Sequence, residues 1–418
     1  MKKVLLNSAL AAGVAFTAIS TADAQVTTSW GGSLMGGAYA RVYNVKNTKS
    51  VEGNEGDFMR NTKFGLHKGR LKFRAEMGEC SAPKHGAFIE FDIAKANRSA
   101  IDNPFTLRQA YVYAGTSFLE VRLGQIRSWS SSFLTGSADV MGGTGGHDGH
   151  GREFFGDADG HGPFLKFNMA NNLHGAGLVL NSARFYGVQL GLSYVHDSRV
   201  SGQGHGHDHS TAIPGKDARM NINGGINYEN TFGDTTLRLG AAVSSSDWGQ
   251  EKDKDDKVVT GGDFGRDFAY RVSAKVDWKD LEVGLDWIDN LKSGVHPVSG
   301  RAFNADERKE EFKTNSGKII AGAVGYTFSN VALKPKVALS GEYAFMNAQV
   351  DAKTEKTLAS TTVMATLDLQ LREGLKWYLE AGLSVRNKEL AGHAKGADGK
   401  EPEGNKAAIV GTGLSVAW

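Results

Sequence analysis

Polar and apolar residues alternate along this chain. From Lys68 to Glu76 the charged residues Lys68, Arg70, Lys72, Arg74 and Glu76 interleave with Gly69, Leu71, Phe73 and Ala75. The stretch from Phe88 to Ile93 does the same, with Glu90 and Asp92 set between Ile89, Phe91 and Ile93. Ala365 to Leu371 repeats it around Asp368. A period of two is that of a β-strand with one wet and one apolar face.

Following that period predicts strands near 27–43, 62–79, 84–94, 105–115, 118–127, 175–184, 187–196, 218–230, 235–247, 265–278, 281–290, 316–328, 334–346, 358–372, 375–388 and 405–418. Each is long enough to cross a bilayer when tilted, which takes about 9–11 residues. The connections alternate as well. Those near 116–117, 185–186, 231–234, 279–280 and 373–374 are short, and those near 44–61, 128–174, 197–217, 248–264, 291–315 and 389–404 are long. Short turns at one rim and long loops at the other mark outer-membrane barrels, which favour an even strand count. A soluble two-sheet sandwich has no cause for that asymmetry. The predicted fold class is all-β: a transmembrane antiparallel β-barrel of about 16 strands, forming one domain over residues 25–418.

The N-terminus agrees with export. Lys2 and Lys3 precede an apolar run from Val4 to Ile19 that closes on Ala22-Asp23-Ala24, so residues 1–24 are expected to be a cleaved signal peptide. No later run is long and apolar enough for a membrane-spanning helix. Glycine (54) far outnumbers proline (7), as expected for a chain of many turns. Cys80 is the sole cysteine, so no intramolecular disulfide can form, and a closed barrel supplies the rigidity instead. A formal net charge of +2 argues against a nucleic-acid partner. The expected location is the outer membrane of a Gram-negative bacterium, with lipid and lipopolysaccharide around the wall.

The last strand places Val410, Thr412, Leu414, Val416 and Trp418 on one face. A terminal aromatic behind an apolar row resembles the C-terminal signature of bacterial barrels, although Phe is the more usual ending. More specifically, Thr106-Leu107-Arg108-Gln109-Ala110-Tyr111-Val112-Tyr113-Ala114-Gly115, followed by Glu120-Val121-Arg122-Leu123-Gly124-Gln125, resembles strands four and five of the general porins of Gram-negative bacteria. Asn181-Ser182-Ala183-Arg184-Phe185-Tyr186-Gly187 resembles the sixth-strand turn of that family. The resemblance implies a homotrimer of passive channels for small hydrophilic solutes and ions. It also implies a long third loop folded into each pore.

Alternation turns Lys68, Arg70, Lys72, Arg74, Arg108 and Arg122 toward the lumen. Asp139, Asp148, Glu153, Asp157 and Asp159 lie on the third loop. The resemblance implies that such arginines face such acids across a constriction and set up a transverse field. The loop also carries Trp129, Phe133, Phe154, Phe155, Phe164 and Phe167, and a connection of that length is expected to cover a surface, here the wall. Tyr39, Tyr43, Tyr111, Tyr113, Trp278, Trp287, Tyr326, Trp377, Tyr378 and Trp418 are expected to form interfacial girdles.

Two histidine groups have ligand chemistry. His147, Asp148, His150 and His161 lie in the third loop, and His205, His207, Asp208 and His209 in the fourth. Imidazole and carboxylate at short spacing suit Zn²⁺ or Cu²⁺. A solvated loop explains them equally, since glycine between the histidines raises the ordering cost. Asp157 to Gly162 resembles part of a Ca²⁺ loop but lacks its third acid and its terminal Glu. No resident cofactor is expected. Three other functions stay open: a substrate-selective anion channel, a structural or adhesin barrel, and a barrel enzyme. The enzyme is disfavoured because no G-x-S-x-G or H-E-x-x-H motif occurs.

Overall fold

The structure, a computed structural model, describes residues 26–43, 62–77, 84–93, 105–146, 174–197, 220–247, 250–252, 258–263, 266–291, 317–351, 354–387 and 406–418. The first strands are β1 (Val26–Tyr43), β2 (Thr62–Met77), β3 (His85–Ile93), β4 (Phe105–Gly115) and β5 (Leu119–Arg127). A short helix α1 (Trp129–Phe133) and a 3-10 turn (Ser137–Val140) come next. Then follow β6 (His174–Ser182), β7 (Val188–Asp197), β8 (Met220–Phe232), β9 (Thr235–Asp247), β10 (Gln250–Lys252) and β11 (Val258–Asp263). The chain continues with β12 (Arg266–Trp278), β13 (Leu281–Asn290), β14 (Gly317–Thr327) and β15 (Lys336–Asp351). It ends with β16 (Thr354–Arg372), β17 (Leu375–Arg386) and β18 (Lys406–Ala417).

All of these strands except β10 and β11 close into one antiparallel barrel of sixteen. Neighbours in sequence pair with each other, β9 steps over the β10–β11 hairpin to reach β12, and β18 returns to β1 with Ala38 opposite Thr412. Closure leaves no edge, so the backbone polar groups of the wall are satisfied within it, as a hydrocarbon environment requires. Turns at 233–234 and 373–374 hold Gly233 and Gly374 at φ of +58° and +72°, the left-handed region that tight hairpins use.

The two faces of the wall separate as alternation predicts. On β14, Ile320, Val324 and Tyr326 are exposed while Ile319, Ala321 and Ala323 are buried. On β8, Ile222 and Ile226 are exposed and Asn221, Asn223 and Asn227 are buried. Among the described residues the apolar face therefore has no protein cover, and the other face carries amides, hydroxyls and charges. Both clusters of buried apolar side chains include residues of segment 128–146: Trp129 and Leu134 in one, Val140 and Met141 in the other.

One irregularity changes the lining. Leu107 and Gln109 take the consecutive partners Phe91 and Glu90, so Arg108 is an extra residue in β4. Such a bulge slips the side-chain alternation by one. Beyond it Val112 is exposed on the apolar face and Tyr113 is buried on the polar one. The girdle expected from the sequence is corrected accordingly. Trp278, Tyr326 and Trp418 are exposed, but Tyr39, Tyr113 and Tyr378 are buried, and Tyr111 lies beside Arg122.

Candidate functional site

The polar face divides into a part covered by segment 128–146 and a part left open among the described residues. The segment leaves β5 at Ser128. Trp129, fully buried, occupies the space in front of Gly191 and Gly225, where a Cβ on either glycine would collide with its ring. The Trp129 amide donates to Ser193 Oγ at 2.9 Å. Ser130 and Asn223 exchange two bonds of 2.8 Å, and Asn227 donates to the Phe133 carbonyl at 3.2 Å. Leu134 then sits over Gly240 on β9.

Further along, carboxylates replace amides as the anchors. The Ser137 amide and hydroxyl both donate to Asp286 Oδ2 at 2.6 Å, while Arg271 Nε donates to Asp286 Oδ1 at 2.9 Å. Gly142 donates to Thr366 Oγ1 at 3.2 Å and Gly143 to Asp368 Oδ1 at 2.7 Å. The Thr144 hydroxyl and amide reach Glu380 Oε2 at 2.6 and 3.1 Å, and Tyr39 OH donates to the same oxygen at 3.1 Å. One short segment thus engages strands from β7 round to β17 on a single face. Donors with no partner in a helix or sheet find acceptors on the wall, which is how an irregular backbone can be buried.

The open part, β2 to β5, is charged. Asp92 and Glu90 of β3 stand between Arg70 of β2 and Arg108 of β4. Arg108 meets Asp92 at 2.8 Å and Glu90 at 3.6 Å, and Arg70 meets them at 3.4 and 3.6 Å. Arg74 pairs with Glu76 at 3.0 Å, Lys84 with Glu76 at 3.1 Å, and Arg122 with Glu120 at 2.7 Å. Lys72 is exposed and forms no ion pair with a described residue. A second ladder crosses β8 to β15. There Arg238 bridges Glu229 and Asp277, and Lys275 bridges Asp277 and Glu282 at 3.2 and 2.9 Å.

The four arginines expected at the constriction therefore stand together on one stretch of wall. The acids nearest to them are Glu76, Glu90, Asp92 and Glu120 of the same stretch. These acids obey the same alternation as the arginines and could have been read as their partners. Asp139 is exposed and accepts the Gly136 amide at 2.8 Å, capping the 3-10 turn. Lys68 lies on β2, and its side chain falls outside the described residues, as do Asp148, Glu153, Asp157, Asp159, His147, His150, His161, His205, His207 and His209. Among the described residues no three His, Cys, Asp or Glu side chains are placed to hold a metal ion.

A comparison with curated proteins gives no match. Solved structures share the fold over nearly all of the chain. The outer membrane channel DcaP of Acinetobacter baumannii is 14% identical with a TM-score of 0.56, covering 94% of this chain and 97% of that one. The anion-selective porin from Comamonas acidovorans is 14% identical with a TM-score of 0.55, covering 94% and 100%. OmpT of Vibrio cholerae in its trimer form is 13% identical with a TM-score of 0.52, covering 94% and 99%. At such identities these likenesses speak for the fold alone. The family model of Gram-negative porins matches residues 9–390, and the chain belongs to that family of passive outer-membrane channels.

Proposed function

We propose that the polar face lines a water-filled lumen admitting small hydrophilic solutes and ions, and that segment 128–146 narrows it. The observation that carries this reading is the seating of that segment across the polar face from β7 to β17. A sixteen-strand barrel is wide enough to leave an aqueous channel when side chains alone line it. A segment packed on the inner wall reduces that bore at one level and leaves the rest wet.

Charge then sorts what passes. On β2 to β5, Arg70, Lys72, Arg74, Lys84, Arg108 and Arg122 outnumber Glu76, Glu90, Asp92 and Glu120. Guanidinium stays charged at any physiological pH, so the excess persists. This favours a preference for anions within a general pore, and it is the feature that would suit the rival reading of a substrate-selective anion channel. The acids of the third loop, Asp148, Glu153, Asp157 and Asp159, complete the transverse field in this reading. A passive route needs no nucleophile or base, so the reading assigns no catalysis. The uncovered apolar face takes lipid and, in a homotrimer, two further copies of the chain.

The test is a planar bilayer with a salt gradient. Discrete ohmic steps are expected, with a reversal potential of the sign for anion preference. Arg108→Ala together with Arg122→Ala should move that potential toward cations. A protein that inserts without conducting would refute the channel, and unchanged selectivity in the double variant would remove these arginines from it. Saturable conductance for a single small anion would favour the selective channel over the general pore.

A further inference from the structure

The open stretch of wall holds aromatic rings as well as charges, and the two are arranged against each other. Register sets Arg74, Phe88, Tyr111 and Gly124 side by side on β2 to β5, and Gly86, Tyr113 and Arg122 in the next row. The two glycines make room for the rings. A Cβ at Gly86 would meet Tyr113 Cζ at 2.9 Å, and one at Gly124 would meet Tyr111 Cβ at 3.1 Å. Tyr113 therefore lies along the wall, donating to Glu76 at 2.6 Å and accepting from Arg74 Nε at 3.0 Å.

The rings continue into the covering segment. Phe88 and Tyr111 have centroids 5.2 Å apart, Tyr111 and Tyr113 6.2 Å, and Phe133 stacks on Trp129 at 5.6 Å. Arg122 joins the two groups, its Cζ lying 5.4 Å from the Tyr111 ring and 5.1 Å from that of Phe133. Arg74 caps the other end, 5.2 Å from Tyr113. The Nε of Arg122 is given to Glu120, and its two terminal nitrogens make no hydrogen bond to a described residue. Its side chain is 22% exposed.

We propose that this arginine-and-ring wall is a binding station for aromatic carboxylates, which rests on the channel reading above. The carboxylate takes the outer edge of Arg122, and the solute ring meets the edges of Tyr111 and Phe133, whose faces are taken by Arg122, Phe88 and Trp129. Fork and ring are both needed, because a guanidinium offers a carboxylate a planar fork and a ring edge offers the face of an aromatic solute a T-shaped contact. Glu76 and Glu120 offset the local cations, so the station is no trap for a small, compact anion. A conducting path needs that weakness, since a solute held too firmly would not leave.

The experiment compares benzoate with cyclohexanecarboxylate, which has the same charge and nearly the same size but no π face. Added to reconstituted channels in chloride, benzoate is expected to reduce the chloride current saturably, at about one-tenth of the cyclohexanecarboxylate concentration. Tyr111→Leu should erase the difference between the two, and Arg122→Lys should weaken both, since a point charge replaces the fork. Equal block by the two anions in the unaltered protein would overturn the station, as would an intact benzoate preference in Tyr111→Leu. Saturation-transfer NMR of benzoate with the detergent-solubilised protein reads binding without current. Normal conductance with no benzoate binding would refute this inference and leave the channel standing, whereas absent conductance would strike the channel itself.

Discussion

The covered and open parts of the polar face solve different problems with the same strand geometry. Under segment 128–146, the wall supplies neutral amides, hydroxyls and glycine hollows, and its three anchoring carboxylates accept N–H and O–H groups of the segment. On β2 to β5, acids and arginines interlock across strands, and rings lie between them. Burying a charge without a partner is costly, so the carboxylates under the segment each accept hydrogen bonds from it. A wall that faces water can keep many charges. Where the segment meets the wall, hollows and acceptors receive it, and on β2 to β5 acids and arginines pair with each other instead.

Substitutions in each part should give opposite signatures. The largest effect is expected from Trp129→Ala, which empties a fully buried site and removes about 3–5 kcal/mol of packing. Single-channel conductance should rise and the thermal midpoint in detergent should fall. Thr144→Val comes next, deleting a 2.6 Å bond to Glu380 worth about 1.5–3 kcal/mol. It should loosen the far end of the segment, so conductance noise should increase with a smaller shift in the midpoint. Arg74→Ala, on the open part, should cost no more than about 1 kcal/mol, because Arg74 is half exposed and the pair is screened. Its reversal potential should still move toward cations. Lys336→Met removes one pair with Glu282 at the edge of the second ladder and should be the mildest, with an unchanged midpoint and a small shift in selectivity. A variant from the open part that widened the pore as much as Trp129→Ala would break the comparison.

Much of this architecture is legible in the order of residues. β13 spans the interval the alternation indicated, and the count of sixteen wall strands stands. What alternation could not show is a break in its own period. The extra residue at Arg108 reverses the faces beyond it, which carries Tyr111 and Tyr113 from an expected girdle to the lining. The β10–β11 hairpin lies within a connection read as a loop, in a stretch too short and charged to show a period. β15 and β16 run past their expected ends because Asn347 to Asp351 and Thr354 to Thr357 pair although few of those residues are apolar. The glycine hollows were invisible for another reason. Gly191 and Gly225 acquire meaning only beside Trp129, and nothing in the order of residues links those positions.

Site-specific thiol labelling of reconstituted protein reaches the central claim most directly. In a Cys80→Ser background, Leu71→Cys, Lys72→Cys, Phe73→Cys and Arg74→Cys are each exposed to a charged, membrane-impermeant reagent. Lys72→Cys and Arg74→Cys should react and lower the current, while Leu71→Cys and Phe73→Cys should stay unmodified in the lipid. Uniform labelling at all four positions would contradict a wall with water on one side and lipid on the other.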